Sequence, residues 1–345
     1  MTAVSLAKPA SRRAVGLWLL IVAALVIAML AVGGLTRLTG SGLSITEWDP
    51  IVGAIPPLSH ADWAEAFAKY RHIPQYRLEN LGMSLEGFKA IFWWEWAHRL
   101  LGRAIGFAFL VPFAWFAVTG AITRKDWARM LTLFVLGGLQ GFVGWWMVES
   151  GLEVRVAVSQ YRLAIHLGFA VLLLGALLWI ALEYLHAEDR TPKQAPKAAY
   201  AFAALVFVQM LLGALVAGLH AGLVYNTWPT MGGGFFPEHA FAQGWIGFFE
   251  NPGLAQFDHR MGAYAVAIFA YFLWQWLRTR KVGGLAMVAA NTVLAVTAVQ
   301  ILLGIYTLLW QVPVALAATH QVAAALLFGT ALWQAFELRY ASAKP

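Results

Sequence analysis

Apolar runs, each about as long as a bilayer core is thick, dictate what this chain can fold into. Hydrocarbon offers no hydrogen-bond partners, so a chain with such runs must cross as helices whose backbone groups bond one another. The runs lie near Val15–Leu35, Leu100–Val118, Met130–Val148, Leu163–Tyr184, Ala199–Leu219, Met261–Leu277, Leu285–Leu309 and Val314–Phe336. They predict an all-α integral membrane protein of about eight transmembrane helices. Composition agrees: 61% of the 345 residues are hydrophobic and 12% charged, against about 25% charged in soluble domains. With no cysteine, disulfides, thiolate nucleophiles and thiolate metal sites are excluded.

The net charge of +7 is placed for a lipid surface, and no nucleic-acid partner is expected. Basic residues alternate between connectors: Lys8, Arg12 and Arg13, then Arg124, Lys125 and Arg129, then Arg190, Lys193 and Lys197, then Arg278, Arg280 and Lys281, and finally Arg339 and Lys344. The positive-inside rule puts these segments, and both termini, in the cytoplasm. The stretch 221–258 has no Lys or Arg and is expected outside. The first connector, 36–91, is basic but long enough to escape the rule. The run after Arg13 is too long for a signal-peptide core and lacks an A-x-A-like end, so no cleavable signal is expected.

The sequence repeats itself. Gly33, Gly42, Leu43 and Trp48 recur at one common offset as Gly213, Gly222, Leu223 and Trp228. Gln140 with Gly144 recurs as Gln300 with Gly304, and Gln209 with Gly213 has the same spacing. Four spans return a chain to its starting side, so the halves are expected as parallel repeats, two pseudo-symmetric four-helix bundles. The division falls at 1–190 and 191–345, with His186 to Lys197 as linker and Pro192 and Pro196 marking the break. The glycines read as sites of close helix approach. The glutamines read either as hydrogen bonds across helices or as contacts to a cofactor edge.

Four histidines fall at matching places: His98 and His166, then His259 and His320. Glu95-Trp96-Ala97-His98-Arg99 parallels Gln256-Phe257-Asp258-His259-Arg260. All four precede helices expected to run from outside to inside, which places them at similar depth, near the outer face. Within each half the second and fourth helices are parallel, so one histidine from each can bind one iron from opposite sides. Two haem sites, one per half, are the reading favoured over satisfied polar histidines or a zinc site, which lacks its tight ligand spacing. A bis-histidine iron has no open position, so chemistry belongs at the porphyrin edge unless a ligand leaves. Arg37, Arg99, Arg103 and Arg260 lie where haem propionates could pair with them, although interfacial snorkelling explains them equally. Glu95 breaks the symmetry, since the second half has Gln256 there. It is a candidate proton acceptor or stabiliser of developing positive charge, with a helix first-turn carboxylate as the structural alternative. His60, His72, His186 and His239 read as solvated loop residues; His220, at the end of the fifth span, does not dismiss so easily.

The longer phrases carry a resemblance. Gly33-Gly34-Leu35-Thr36-Arg37-Leu38-Thr39-Gly40-Ser41-Gly42-Leu43-Ser44, then Trp48-Asp49-Pro50-Ile51-Val52-Gly53, Pro56-Pro57, and Phe88 and Lys89 through Glu95, His98, Arg99, Gly102 and Arg103, resemble the heme A synthase family in its cysteine-free alphaproteobacterial and mitochondrial form. His220-Ala221-Gly222, Trp228-Pro229-Thr230-Met231 and Asp258-His259-Arg260 extend the likeness through the second half. The resemblance implies oxidation of the C8 methyl of haem O to a formyl group, through an alcohol and a hydrated aldehyde. The implied product is haem A for cytochrome oxidase, with water as the implied source of the oxygen. It further implies substrate haem on His98 and His166, haem b on His259 and His320, and Glu95 as the essential glutamate. The implied setting is a multi-pass protein of the bacterial inner membrane that receives haem O from a haem O synthase and passes electrons to an acceptor. A homo-oligomer is compatible with such a chain. Two rivals stand beside it: a di-haem b-type cytochrome exchanging electrons with quinone, which leaves the Glu95/Gln256 difference unexplained, and a carrier, which calls for broken helices with polar residues at mid-membrane.

Overall fold

The computed structural model describes residues 9–49, 51–186, 195–238 and 242–341. Among these the only regular secondary structure is helical. Eight helices are long: α1 (Pro9–Leu38), α4 (Leu85–Val118), α5 (Arg124–Glu149), α6 (Gln160–Leu185), α7 (Lys197–Gly218), α9 (Pro252–Thr279), α10 (Gly284–Leu309) and α11 (Val314–Leu338). Three short ones, α2 (His60–Tyr70), α3 (Pro74–Leu78) and α8 (Gly247–Glu250), lie in the two longest connectors. Seven of the long helices are apolar enough over their length to cross a membrane. The exception is α9, whose 28 residues include Asp258, His259, Arg260 and two tyrosines.

Two spans begin two turns or more before their apolar runs. The Ser84 side chain caps α4 by accepting from the Gly87 N–H, so the helix starts well before Leu100 and encloses Glu95 and His98. Asn251 caps α9 by accepting from the Leu254 N–H, and Pro252 opens its first turn, so Gln256 and His259 are helical too. Hydropathy marks where a helix meets hydrocarbon; the caps mark where it begins. No long helix is broken, and Pro112 lies within α4.

The first connector is folded. Ser59 and Asp62 form a reciprocal capping box on α2. Trp63, Tyr70, Ile73 and Tyr76 then pack on Phe88 and Phe92 of α4 in a small core of their own. The Tyr70 hydroxyl donates to Gln75 Oε1, and Gln75 Nε2 donates to the Gly40 carbonyl, tying this cap to the end of α1.

In the first half α1 packs on α4, α4 on α5, α5 on α6, and α6 back on α1. In the second half α7, α9, α10 and α11 close the same ring. The helices bearing the paired histidines, α4 with α6 and α9 with α11, are therefore diagonal in their rings. The rings meet through α1 and α6 against α7 and α11, and the apolar core runs through the joint. Close backbone approach makes that joint. A Cβ on Gly218 would lie 2.6 Å from both Cα and Cβ of Gln160. Gln321 Nε2 on α11 donates to the Leu30 carbonyl on α1 at 2.7 Å.

Residues from three of the basic segments meet at Glu183. Arg129 pairs with Glu183 at 2.6 Å, Arg339 reaches the same carboxylate, and Arg12 donates to the Glu183 carbonyl. His186 is not a solvated residue: its ring stacks on Tyr340 with centroids 3.8 Å apart. His60 and His72 are exposed, as expected. His239, Pro50, Pro192, Lys8, Arg190, Lys193 and Lys344 lie outside the described residues.

The joint yields a stability test. Gly218→Ala places a methyl where Gln160 backbone already sits, which costs about 1–3 kcal/mol. Gly106→Ala, where a Cβ meets nothing within 4 Å, changes stability by less than about 1 kcal/mol. Thermal unfolding in detergent should show a lowered midpoint for the first variant alone.

Candidate functional site

Each of the four histidines lies against a glycine of the preceding long helix. A Cβ on Gly33, Gly144, Gly213 or Gly304 would lie 2.8, 2.9, 3.1 or 2.9 Å from the ring Cε1 of His98, His166, His259 or His320 respectively. Carbon atoms pack at about 3.5–4.0 Å, so any side chain there would displace the ring. The glycines do bring helices close, as their spacing indicates, but the close approach makes room for an imidazole.

A second contact accompanies three of the four. Gln140 Nε2 donates to the His166 carbonyl at 3.0 Å and lies 3.1 Å from its Nδ1. Gln209 Nε2 donates to the His259 carbonyl at 2.7 Å and lies 3.0 Å from its Nδ1. Gln300 Nε2 donates to the His320 carbonyl at 3.1 Å. Of the two roles open to these glutamines, the structure shows the bond across helices. The matching position on α1, one turn before Gly33, is Met29.

The second-half pair faces itself: the His259 and His320 rings have centroids 6.3 Å apart and planes at 87°. Two metal–imidazole bonds of about 2.0 Å, with a half-ring on each side, span about 6 Å. The spacing fits one iron between two neutral imidazoles. In the first half His98 and His166 come from the diagonal helices α4 and α6.

Glu95 is buried, and three donors hold it. Ser44 Oγ donates to Oε2 at 2.8 Å and the Ile45 N–H at 2.9 Å, while Arg99 Nη2 donates to Oε1 at 2.7 Å. Gln256 repeats the placement with the polarity reversed. Its Nε2 donates to the Ala221 and Tyr225 carbonyls, and its Oε1 accepts from Arg260 at 3.3 Å. The two loops match at one residue, since Arg99 donates to the Ile45 carbonyl and Arg260 to the Tyr225 carbonyl. A carboxylate in one half therefore replaces an amide in the other at an otherwise duplicated site.

Three of the arginines considered for propionates have protein partners. Arg99 also donates to the Glu47 carbonyl at 2.9 Å, Arg103 to the Asp49 carbonyl at 2.8 Å, and Arg260 to the Thr230 carbonyl at 3.2 Å. They pin the outer loops onto α4 and α9. The Arg37 side chain has no hydrogen bond or ion pair among the described residues, and it lies within electrostatic reach of His220.

A model of the cytochrome oxidase assembly protein family matches residues 16–332, which covers every residue of both sites. A heme A synthase of Parvibaculum lavamentivorans is 52% identical over 332 residues, 95% of each chain. One of Nitrosospira multiformis is 48% identical over 339 residues, 96% of this chain and 95% of its own. One of Azorhizobium caulinodans is 50% identical over 327 residues, 93% of each. The chain belongs to the heme A synthase family.

Several residues that build these sites of a heme A synthase family member escaped the sequence reading. Ser44 was visible only as part of a long phrase, and the Ile45 N–H carries no side-chain signal at all. Met29 could have been found by extending the glutamine–glycine spacing to α1. Arg162, one turn before His166, donates to the Trp146 carbonyl at 2.6 Å and lies over the Trp146 ring; the matching position before His320 is Leu316.

His220 sits just past α7 in a left-handed conformation, φ 51°, where the first half has Gly40 at φ 66°. Burial, and then Arg37, pull its imidazole pKa below the ordinary 6.5. The fold thus favours neutral His220. That contribution is complete above the unfolded pKa and is lost as pH falls below about 6.5. His220→Asn keeps a residue that tolerates the left-handed region but cannot titrate there. Its unfolding midpoint should fall less between pH 7 and pH 5 than that of the parent chain.

Proposed function

We propose that the chain oxidises the C8 methyl of haem O to a formyl group, giving haem A for cytochrome oxidase. The first half, 1–190, takes haem O between His98 and His166. The second half, 191–345, keeps a haem b between His259 and His320 and relays electrons. The observation that carries this reading is the exchange of Glu95 for Gln256 at matching, loop-clamped positions three residues before matching histidines. Identical electron-transfer sites have no use for that difference.

When bound, haem b supplies one-electron chemistry beside the substrate. The chain's own residues hold and polarise. Removing two electrons and a proton from the methyl leaves a benzylic cation at the ring edge; water adds its oxygen there and gives up a proton. A second round gives the hydrated aldehyde, which loses water to the formyl group. Glu95 is fixed by Ser44, Ile45 and Arg99 before any charge develops, and such preorganisation is what stabilises a cationic transition state. His98 and His166, seated on Gly33 and Gly144, set where the ring edge lies relative to that carboxylate. The electrons pass to an acceptor, and haem O comes from a haem O synthase. Arg37 has free donors for a propionate, with Arg99, Arg103 and Arg260 lining the same end. The gathering of basic connectors around Glu183 supports a cytoplasmic placement of both termini in a bacterial inner membrane.

Two such similar histidine pairs also fit a di-haem b-type cytochrome that exchanges electrons with quinone. One experiment separates the readings. The chain is expressed with a haem O source, and its haems are extracted and chromatographed. Haem A should form, and Glu95→Gln should lower its formation by at least about a hundredfold while the purified variant still retains haem O. Haem B alone from the parent chain, with haem O supplied, favours the cytochrome.

A further inference from the structure

Three of the four iron-facing histidines are tethered by a glutamine from the neighbouring helix; His98 is not. Its Nδ1 is buried without a partner, and its carbonyl receives no side-chain donor among the described residues. In place of the amide stands Met29, whose Cε lies 3.4 Å from where a Cβ on Gly102 would be, one turn further along α4. Near this level the polar tie made by α1 runs away from His98: the Leu30 carbonyl accepts from Gln321 of α11. The tie from α1 to α4 lies further toward the outer end, where Thr36 Oγ1 donates to the Trp94 carbonyl at 3.2 Å. His320 also has an unpartnered Nδ1, but Gln300 holds its backbone.

The groups that hold a ligating histidine fix its position and ring orientation, here through a bond to its backbone carbonyl, and losing such support weakens metal binding by about 10–100-fold. On that ground we propose that His98 is the exchangeable ligand of the substrate iron, the one whose bond opens to let haem O in and haem A out. Met29 is the positioning residue that leaves it untethered. The inference rests on the reading that the first half takes haem O. It accounts for a requirement of that reading: one site must turn over its haem while the other keeps its own. The kept site has a glutamine behind both histidines; the turned-over site has one behind His166 only. No electron moves in the exchange. The Nε2 lone pair leaves iron on release and returns on binding.

The test is haem release. Chain purified anaerobically from cells that make haem O is mixed with excess apomyoglobin, and the haem remaining on it is identified by chromatography over time. Met29→Gln supplies the missing amide and should slow haem O release by about tenfold or more. Met29→Leu supplies none and should release at the parent rate. Gln140→Met removes the tether from His166 and should speed release. Retention of haem b by each variant reports an intact fold. Should Met29→Gln not fold, Gln140→Met still decides whether the amide governs release. Release from Met29→Gln at the parent rate, or from Gln140→Met at the parent rate, overturns the inference. A parent chain that takes up no haem O even when haem O is supplied in excess overturns the functional reading instead, and the two failures cannot be confused.

Discussion

The seating of an imidazole in the notch left by a glycine occurs four times, and the rest of the molecule is arranged around it. Water does not drive helices together inside a bilayer; close packing and interhelical hydrogen bonds must do so. Gly33, Gly144, Gly213 and Gly304 supply the close packing, and their partners are the four rings. The same contact that joins two helices therefore aims a nitrogen donor. In the second half the result is a pair of rings 6.3 Å apart, at the spacing an iron requires.

A duplicated scaffold becomes, on the proposed reading, a two-role protein through few changes. Glu95 and Gln256 hold equivalent loops, one by accepting hydrogen bonds and one by donating them. The substitution leaves the loop clamp standing and places a carboxylate in one half only. Met29 is the second difference: an apolar residue where three other helices carry the amide that steadies a ligand. Both differences fall in the first half. On the proposed reading they separate a reacting, exchanging site from a retained one, while the helix rings stay alike.

Much of this was legible in the sequence. The apolar runs, the charge alternation and the two recurring offsets gave the spans, the ring order and the diagonal placement of the histidines. The starts of α4 and α9 were not legible from hydropathy, because Ser84 and Asn251 begin those helices in polar sequence. The arginines misled in part: Arg99, Arg103 and Arg260 are spent on backbone carbonyls that only the folded loops present. The donors to Glu95 were hidden for the same reason, since one of them is a main-chain N–H. The glutamines were visible as a spacing, but choosing their partner required knowing that the histidine of the next long helix comes level with them.

The central claim is that each half holds one iron between two histidines from diagonal helices. Iron quantitation combined with low-temperature electron paramagnetic resonance of the oxidised chain, purified from cells supplying haem O, tests it most directly. Two low-spin irons per chain are expected. One of them should give the highly anisotropic signal of nearly perpendicular imidazole planes, as His259 and His320 are set. A single iron per chain, or high-spin signals from both, would contradict the paired-histidine architecture.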